Sequence, residues 1–361
     1  MTLSLSLAST ERALSRDARN ARQGWSTRAA CIITLKSDDG QRGVGEASPL
    51  PGFSPDTLEQ CQAALAALEP AQLPARLEPG RSARVELARA SAQLPRDVPA
   101  ARAALEGALL DLWSRSAQKP AWALLLDAAT TMPQRRPLAA LLMTEPEQAL
   151  EQARHAHARG IRTFKLKIGR AGALEREISS LQGLRAELGP DVRLRLDANQ
   201  SWSAVEARAC LPRFAEQGLE YVEEPCARDN LMSLADLEVP LALDESLVQL
   251  AGTADLPQQL EALGVSALIL KPTLLGGVSA CCTWAEAAAQ IGAEVILSHA
   301  FEGPVGLALS AALALSIGSE TSAHGLDLEG ARLEQLRLPF FSGAHLEPWS
   351  EPGFGDWQGV A

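Results

Sequence analysis

The chain has 361 residues, 47% of them apolar, and a formal net charge of −11. That length exceeds an average single domain and suits one large barrel with an added module, or two ordinary domains. The acidic balance argues against nucleic acid or an anionic membrane surface as a partner, and no charge-free apolar run reaches the ~18 residues of a transmembrane helix.

The opening stretch MTLSLSLAST lacks a basic n-region and is short of apolar length for a secretion signal, so the expected location is cytoplasmic. CIITLKSDDGQRGVGEASPL (31–50) predicts a β-hairpin turning around Asp38-Asp39-Gly40. DTLEQCQAALAAL (56–68) and ARAALEGALLDLWSRSA (101–117) have helical spacing, whereas residues 69–99, rich in proline and arginine, are expected to be loop. Residues 1–134 are thus expected to form an α+β capping module. The six cysteines (Cys31, Cys61, Cys210, Cys226, Cys281, Cys282) make no CxxC pair and no metal spacing with histidine, and suit neutral thiols.

From about residue 137 a different pattern sets in. Short apolar segments read PLAALLM (137–143), TFKLKIG (163–169), VRLRLDAN (192–199), LEYVEEP (219–225), PLALDES (240–246), ALILKPT (267–273) and AEVILSHA (293–300), with a weaker one at HGLDLEG (324–330). Sequences of helical spacing separate them, which predicts βαβ units and a parallel sheet. Residues at the segment ends (Lys167, Asp197, Glu223, Asp244, Lys271, Ser298) recur every 21 to 30 positions. About eight such units match a closed (β/α) barrel over 135–330, with a doubly wound open sheet as the alternative. The tail, 331–361, lacks this periodicity and is expected to pack back on the cap.

Chemistry gathers on the C-terminal face of such barrels. Asp197, Glu223 and Asp244 end three successive strands there and would repel one another unless they shared a cation. An oxygen-only set suits Mg²⁺. Singly, such acids also cap helices or meet arginines. Of 33 basic residues only five are lysine: Lys36, Lys119, Lys165, Lys167 and Lys271. A guanidinium does not deprotonate in proteins, whereas an amine can act as a base, so lysines in so arginine-rich a chain mark positions arginine cannot fill. Lys165 and Lys167 flank Leu166 and share a strand face. Lys271 ends a later strand, across the mouth of a closed ring. The layout suits a metal that binds a small-molecule carboxylate and stabilises the enediolate formed when a neighbouring C–H proton leaves, with the lysines handling the proton. Alternatively the lysines are salt-bridge partners of the acids. Asn199 is placed to orient metal or substrate, Glu224 and Glu245 to support the ligands, and Arg195 to form a structural ion pair. His299 is a candidate acid or a structural histidine. Gly276-Gly277 either admits an anion to the backbone or makes a plain helix-entry turn.

KLK (165–167), DANQSW (197–202), VEEP (222–225), DES (244–246) and LKPTLLGG (270–277) resemble, in order and spacing, the muconate-lactonizing branch of the enolase superfamily, over about residues 40 to 330. GEASPLPGFSPDT (45–57) looks like the capping-domain signature of the o-succinylbenzoate synthases, with Pro51, Gly52 and Phe53 on a loop over the barrel mouth. The resemblance implies a hydro-lyase that dehydrates 2-succinyl-6-hydroxy-2,4-cyclohexadiene-1-carboxylate in menaquinone biosynthesis. It implies Mg²⁺, with Mn²⁺ able to substitute, on Asp197, Glu223 and Asp244, and a lysine base acting on an ene-diolate. Lys167 would remove the α-proton and return it to the departing hydroxide. Lys271 would support the enediolate from the other face, Lys165 would act on Lys167 by like-charge proximity, and Asn199, Ser298 and Gly276 would contact substrate or support the site. The loop SHAFEGPVG (298–306) departs from the resemblance: His299, Phe301 and Glu302 stand where many relatives carry small residues, and Glu302 either alters the succinyl contacts or points outward. An N-succinylamino acid racemase or dipeptide epimerase would share the same barrel motifs, and a non-catalytic binding relative is the alternative of another class.

Overall fold

The computed structural model describes residues 2–19, 24–126, 132–142, 146–251, 255–329 and 338–355. Strands β1 (Leu3–Arg19), β2 (Gly24–Ser37) and β3 (Arg42–Ala47) form an antiparallel sheet in that order. Helices α1 (Leu58–Ala66), α2 (Ala83–Ser91), α3 (Pro99–Ser116) and α4 (Ala121–Leu125) follow. The β2–β3 turn lies where the sequence predicts it, with Gly40 at φ +89°. Two elements depart from expectation. β1 pairs with β2 along most of its length, its signal being the alternation of Leu3, Leu5 and Leu7. The supposed loop 69–99 contains α2, because Ala, Leu, Arg and Glu favour helix and Ala83, Leu87 and Ala90 bury one stripe.

β3 lies directly on α3. A Cβ at Gly45 would stand 1.8 Å from the carbonyl oxygen of Ala104, and one at Gly43 2.2 Å from that of Ala108, so this approach requires glycine. α3 is buried on nearly all sides and is hydrophobic accordingly.

β4 (Arg136–Pro137) and β5 (Ala139–Leu142) open the second unit. Strand and helix then alternate through α5 (Pro146–Ala158), β6 (Thr163–Lys167), α6 (Leu174–Leu188), β7 (Arg193–Asp197), α7 (Ala204–Ala215), β8 (Tyr221–Glu223) and α8 (Arg228–Leu231). β9 (Leu241–Leu243), α9 (Glu245–Leu250), α10 (Leu256–Ala262), β10 (Val265–Leu270), α11 (Pro272–Leu275), α12 (Val278–Ile291), β11 (Glu294–Leu297) and α13 (Pro304–Ser316) complete it. β5 to β11 form one parallel sheet in sequential order. The eighth position belongs to the weak segment near 324: His324 bridges to Leu138 and Gly325 to Ser298, both in parallel sense. The Ala139 N–H donates to His324 O at 2.8 Å and the Gly325 N–H to Leu297 O at 2.9 Å. These bonds join the two edges of the sheet, so the ring is closed and the open-sheet alternative is excluded.

Strand alternation sorts the side chains. Phe164, Leu166, Leu194 and Leu196 join the main core beneath the helices, each Leu or Phe contributing roughly 1.5–3 kcal/mol. Tyr221, Ala242, Ala267, Ile269 and Ile296 form a separate cluster. Among the described residues no helix is long and apolar enough to cross a membrane.

In the tail, β12 (Phe341–Ser342) and β13 (His345–Leu346) pair in series with β4. Further on, Trp122 Nε1 donates to Trp349 O and the Ala121 N–H to Gly353 O. Asp111 of α3 ties three pieces together: it accepts from the Val44 N–H at 3.0 Å, the Phe354 N–H at 2.9 Å and Arg115 Nε at 3.0 Å. Removing this buried acceptor deprives two main-chain donors and a guanidinium of it. Asp111→Ala is therefore expected to lower the unfolding free energy by about 2–4 kcal/mol in urea at unchanged m-value, and a loss below about 1 kcal/mol would contradict the tie.

Candidate active site

Sequential strand order places the marker residues side by side: Lys167 at the end of β6, Asp197 at the end of β7, Glu223 at the end of β8, Asp244 after β9 and Lys271 after β10. The two lysines thus flank the three carboxylates. Lys165, one turn of the pleat deeper, donates to Asp197 Oδ2 at 2.9 Å and to Glu223 Oε1 and Oε2 at 2.9 and 3.0 Å. Lys167 donates to Asp197 Oδ2 at 2.8 Å and Asn199 Oδ1 at 2.6 Å. Lys271 donates to Asp244 Oδ2, and its ammonium lies 5.0 Å from the Phe53 ring centroid.

Glu224 and Glu245 back the row. Glu224 accepts from the Asp244 and Ser246 N–H groups at 2.8 Å each, from Ser246 Oγ at 2.7 Å and from Gln200 Nε2 at 2.8 Å. It thereby fixes the turn that presents Asp244. Asn199 joins Lys167 to Glu245 Oε1, to which its Nδ2 donates at 2.9 Å. Below them Arg195 forks onto Glu220 at 2.7 and 3.3 Å, lies over the Tyr221 ring and donates to Ala323 O. It is a structural ion pair inside the barrel.

Five carboxylates (Asp197, Glu223, Glu224, Asp244, Glu245) therefore meet three ammonium groups in a region sheltered from water. Burial would push Lys165 down, but Asp197, Glu223 and Asp244 together hold it well above the ordinary lysine value. Likewise burial opposes the charged form of Lys271, and Asp244 and Glu245 more than restore it. Asp197 is held below the usual range by Lys165 and Lys167 in spite of its burial. The deficit of positive charge falls on the other acids: burial and Asp197 raise Glu223 to about 8, and burial raises Glu224 to about 7. Glu245 rises to about 7 through burial, Asp197 and Glu224, and its Oε2 is buried without a hydrogen-bond partner.

A divalent cation would balance two excess negative charges, and the donors are the hard oxygens that Mg²⁺ takes. Among the described residues, no group of three His, Cys, Asp or Glu side chains stands arranged to hold a metal ion. Lys165 spans Asp197 and Glu223 while Lys271 takes Asp244. Charge and donor chemistry fit the metal; the ammonium contacts on these oxygens must give way to it.

The cavity above the row is lined by Lys165, Lys167, Asp197, Asn199, Glu223, Lys271, Ser298 and His299, with Trp25, Leu50, Phe53 and Phe301 as an apolar wall. Gly276 is not part of that wall: at φ +101° it closes α11, and a side chain there would face Arg102 and Pro99 of the cap. His299 Nδ1 accepts from the Phe301 N–H at 3.1 Å, which puts the ring proton on Nε2. Burial, then Lys271 and Lys165, press its pKa to about 3, so His299 is a neutral donor and not an imidazolium acid. Glu302 neither reaches the pocket wall nor points outward; it is fully buried and accepts from the Ala300 N–H at 2.7 Å. Sequence reasoning missed Asp327, which lines the cavity and is gripped by Arg159 at 3.0 and 2.9 Å.

A carboxyl whose folded pKa is raised binds its proton more tightly when folded, so it weakens the fold as pH rises from its ordinary value to the raised one. For Glu245 that window is 4.5 to about 7. Without divalent cation, Glu245→Gln is expected to gain about 1–3 kcal/mol at pH 8 and to flatten the fall in stability across the window, as chemical denaturation at a series of pH values would measure.

Residues 5–125 match the mandelate racemase / muconate lactonizing enzyme N-terminal domain and residues 148–355 the enolase C-terminal domain-like family. The chain is 33% identical to the o-succinylbenzoate synthase of Thermosynechococcus vestitus over 63% of each chain. It is 34% identical to that of Desulfotalea psychrophila over 75% of this chain and 78% of the other. The L-Ala-D/L-Glu epimerase of Bacillus subtilis, solved with substrate, superposes with a TM-score of 0.82 at 23% identity over 98% of both chains, a likeness of fold. With both units matched, and the second match alone spanning more than half of its length, the chain belongs to the mandelate racemase / muconate lactonizing enzyme family of the enolase superfamily.

Proposed function

We propose that the protein is a Mg²⁺-dependent o-succinylbenzoate synthase, a hydro-lyase of menaquinone biosynthesis. The observation that favours this reading over a dipeptide epimerase is the state of Asp327. A dipeptide brings a free ammonium that needs an acceptor outside the metal site, and the cavity-lining carboxylate apart from Asp197 and Glu223 is already held in a fork by Arg159. The wall of Trp25, Leu50, Phe53 and Phe301 suits a carbocyclic ring, and the SPLPGFS stretch that supplies Leu50 and Phe53 is the segment that resembles the synthases.

Asp197, Glu223 and Asp244 would hold Mg²⁺, which supplies charge neutralisation for the substrate carboxylate when bound. Lys167, acting as the neutral amine, takes the proton from the carbon next to that carboxylate, and the electrons left behind spread into it as an enediolate. They then expel the neighbouring hydroxyl, which accepts the proton from Lys167 and leaves as water, so one C–H and one C–O bond break and the ring becomes aromatic. Asn199 Oδ1 holds Lys167 Nζ at 2.6 Å and aims it. Lys165 would remain as a fixed positive charge beside Asp197 and Glu223 once its contacts on their oxygens have given way to the metal. Lys271, on the far side of the row, faces the developing negative charge. A racemase of N-succinyl amino acids, which carry no free α-ammonium, would use Lys167 and Lys271 as a matched acid and base.

The deciding experiment mixes the purified protein and Mg²⁺ with the succinyl-hydroxycyclohexadiene carboxylate and follows loss of the diene absorbance, with EDTA as control. Rapid EDTA-sensitive conversion is expected; no conversion with Mg²⁺ still bound would overturn the proposal in favour of the racemase, read by α-deuterium exchange in D₂O. Lys167→Ala should lower turnover by about 10²–10⁴-fold while thermal stabilisation by Mg²⁺ persists. Lys271→Arg keeps the charge without a titratable amine and should retain measurable dehydration; complete loss would assign Lys271 a proton-transfer role instead.

A further inference from the structure

Helices α12 and α13 follow Gly277 and Gly303, and neither has an N-cap side-chain hydrogen bond of its own. Each start is met instead by a carboxylate from the cap. Glu106 of α3, fully buried, accepts from the Ser279 N–H at 2.8 Å and from Ser279 Oγ and Ser91 Oγ at 2.5 Å each. Glu46 of β3, also buried, accepts from the Gly303 N–H at 2.6 Å and the Gly306 N–H at 2.9 Å. A carboxylate there satisfies orphan N–H groups and complements the positive end of the helix dipole. It also leaves no room for a side chain: a Cβ on Gly277 would stand 2.7 Å from Glu106 Oε2, and one on Gly303 2.9 Å from both oxygens of Glu46.

The segments that lead into these two helices both supply pocket residues. β10 runs through Lys271 and α11 to Gly277, and β11 runs through Ser298, His299 and Phe301 to Gly303. The second loop is held by further cap groups. Arg12 donates to Phe301 O and Glu302 O at 3.0 and 3.1 Å, and Arg28 Nε to Phe301 O at 3.3 Å, at a residue with φ +59°. We infer that Glu46 and Glu106 are positioning residues: from the cap, Glu106 sets the far end of the Lys271 loop and Glu46 that of the Ser298–Phe301 loop, so that docking of the cap and placement of these pocket groups are one event.

The inference concerns loop placement and holds for any reaction in this pocket; only its turnover arm rests on the proposed dehydration. The test combines hydrogen exchange read by mass spectrometry with steady-state kinetics on Glu46→Gln, Glu106→Gln and the double variant Glu46→Ala/Gly303→Asp. The last gives α13 a cap from its own chain, for which the Gly303 backbone (φ −75°, ψ −171°) is suited. Glu46→Gln is expected to speed exchange about tenfold in a peptide spanning 298–307 and little in one spanning 271–281, with Glu106→Gln doing the reverse. In kinetics Glu106→Gln should act mainly on kcat through Lys271, and Glu46→Gln mainly on KM. The double variant should regain the unfolding midpoint but not KM. Exchange that is unchanged, or that rises evenly along the chain, would overturn the inference, as would return of KM together with stability in the double variant. If the wild type leaves the diene untouched, the dehydration fails while the exchange result still decides the positioning role.

Discussion

Ions sheltered from water are the constraint around which the rest of this protein is arranged. Each buried ion carries a desolvation penalty of several kcal/mol unless partners of opposite sign are held at hydrogen-bond distance. Here Lys165, Lys167 and Lys271 interleave with Asp197, Glu223 and Asp244 at the ends of neighbouring strands. A parallel barrel is what permits this, since every strand delivers its last inward residue to the same rim. The balance is incomplete by two positive charges, and the surplus appears as raised carboxyls on Glu223, Glu224 and Glu245. A site in that condition is poised to take up protons or a hard divalent cation.

Holding the row in register involves backbone strain. Asn199, Gln200 and Glu224 sit at φ +44°, +57° and +45°, a region that costs non-glycine residues of order 1–3 kcal/mol each. The two turns concerned sustain one another. The Gln200 N–H donates to Glu224 O at 2.8 Å, the Glu224 N–H to Ala242 O at 3.0 Å, and the Glu224 carboxylate gathers the N–H groups of Asp244 and Ser246. Residues adjacent to the charged row therefore act as its frame, and the strain sits where three strand ends must be presented at fixed spacing.

The features legible in the sequence are those that periodicity or chemistry writes locally. Alternation placed Lys165 and Lys167 on one strand face, the scarcity of lysine singled out Lys271, and the recurrence of an acid at successive strand ends marked the row. Features created by contacts between distant segments were not legible. The forking of Arg159 onto Asp327 joins residues 168 positions apart, and the reach of Glu46 to Gly303 spans 257. Neither partner has a local pattern that announces the other. Helix α2 was hidden by the prolines around it, and the eighth barrel position by a segment with a bridge on each side in place of a full strand.

The division between legible and illegible parts follows the division of labour in the site. Lysines and carboxylates around an enediolate can serve proton transfer, elimination or epimerisation alike, so the strand ends specify a kind of chemistry and leave the substrate open. Under the proposed function, what distinguishes substrates is the wall: a neutral His299, a carboxylate already occupied by arginine, and aromatic rings delivered by the cap. The last two of those features are set by contacts between a loop and something far away in sequence. Trp25 meets Phe301 with ring centroids 6.3 Å apart, and Phe53 covers Lys271 from another part of the cap. Under the proposed function, specificity therefore rests on how the cap sits on the barrel, because the cap supplies the aromatic rings that face the strand-end groups.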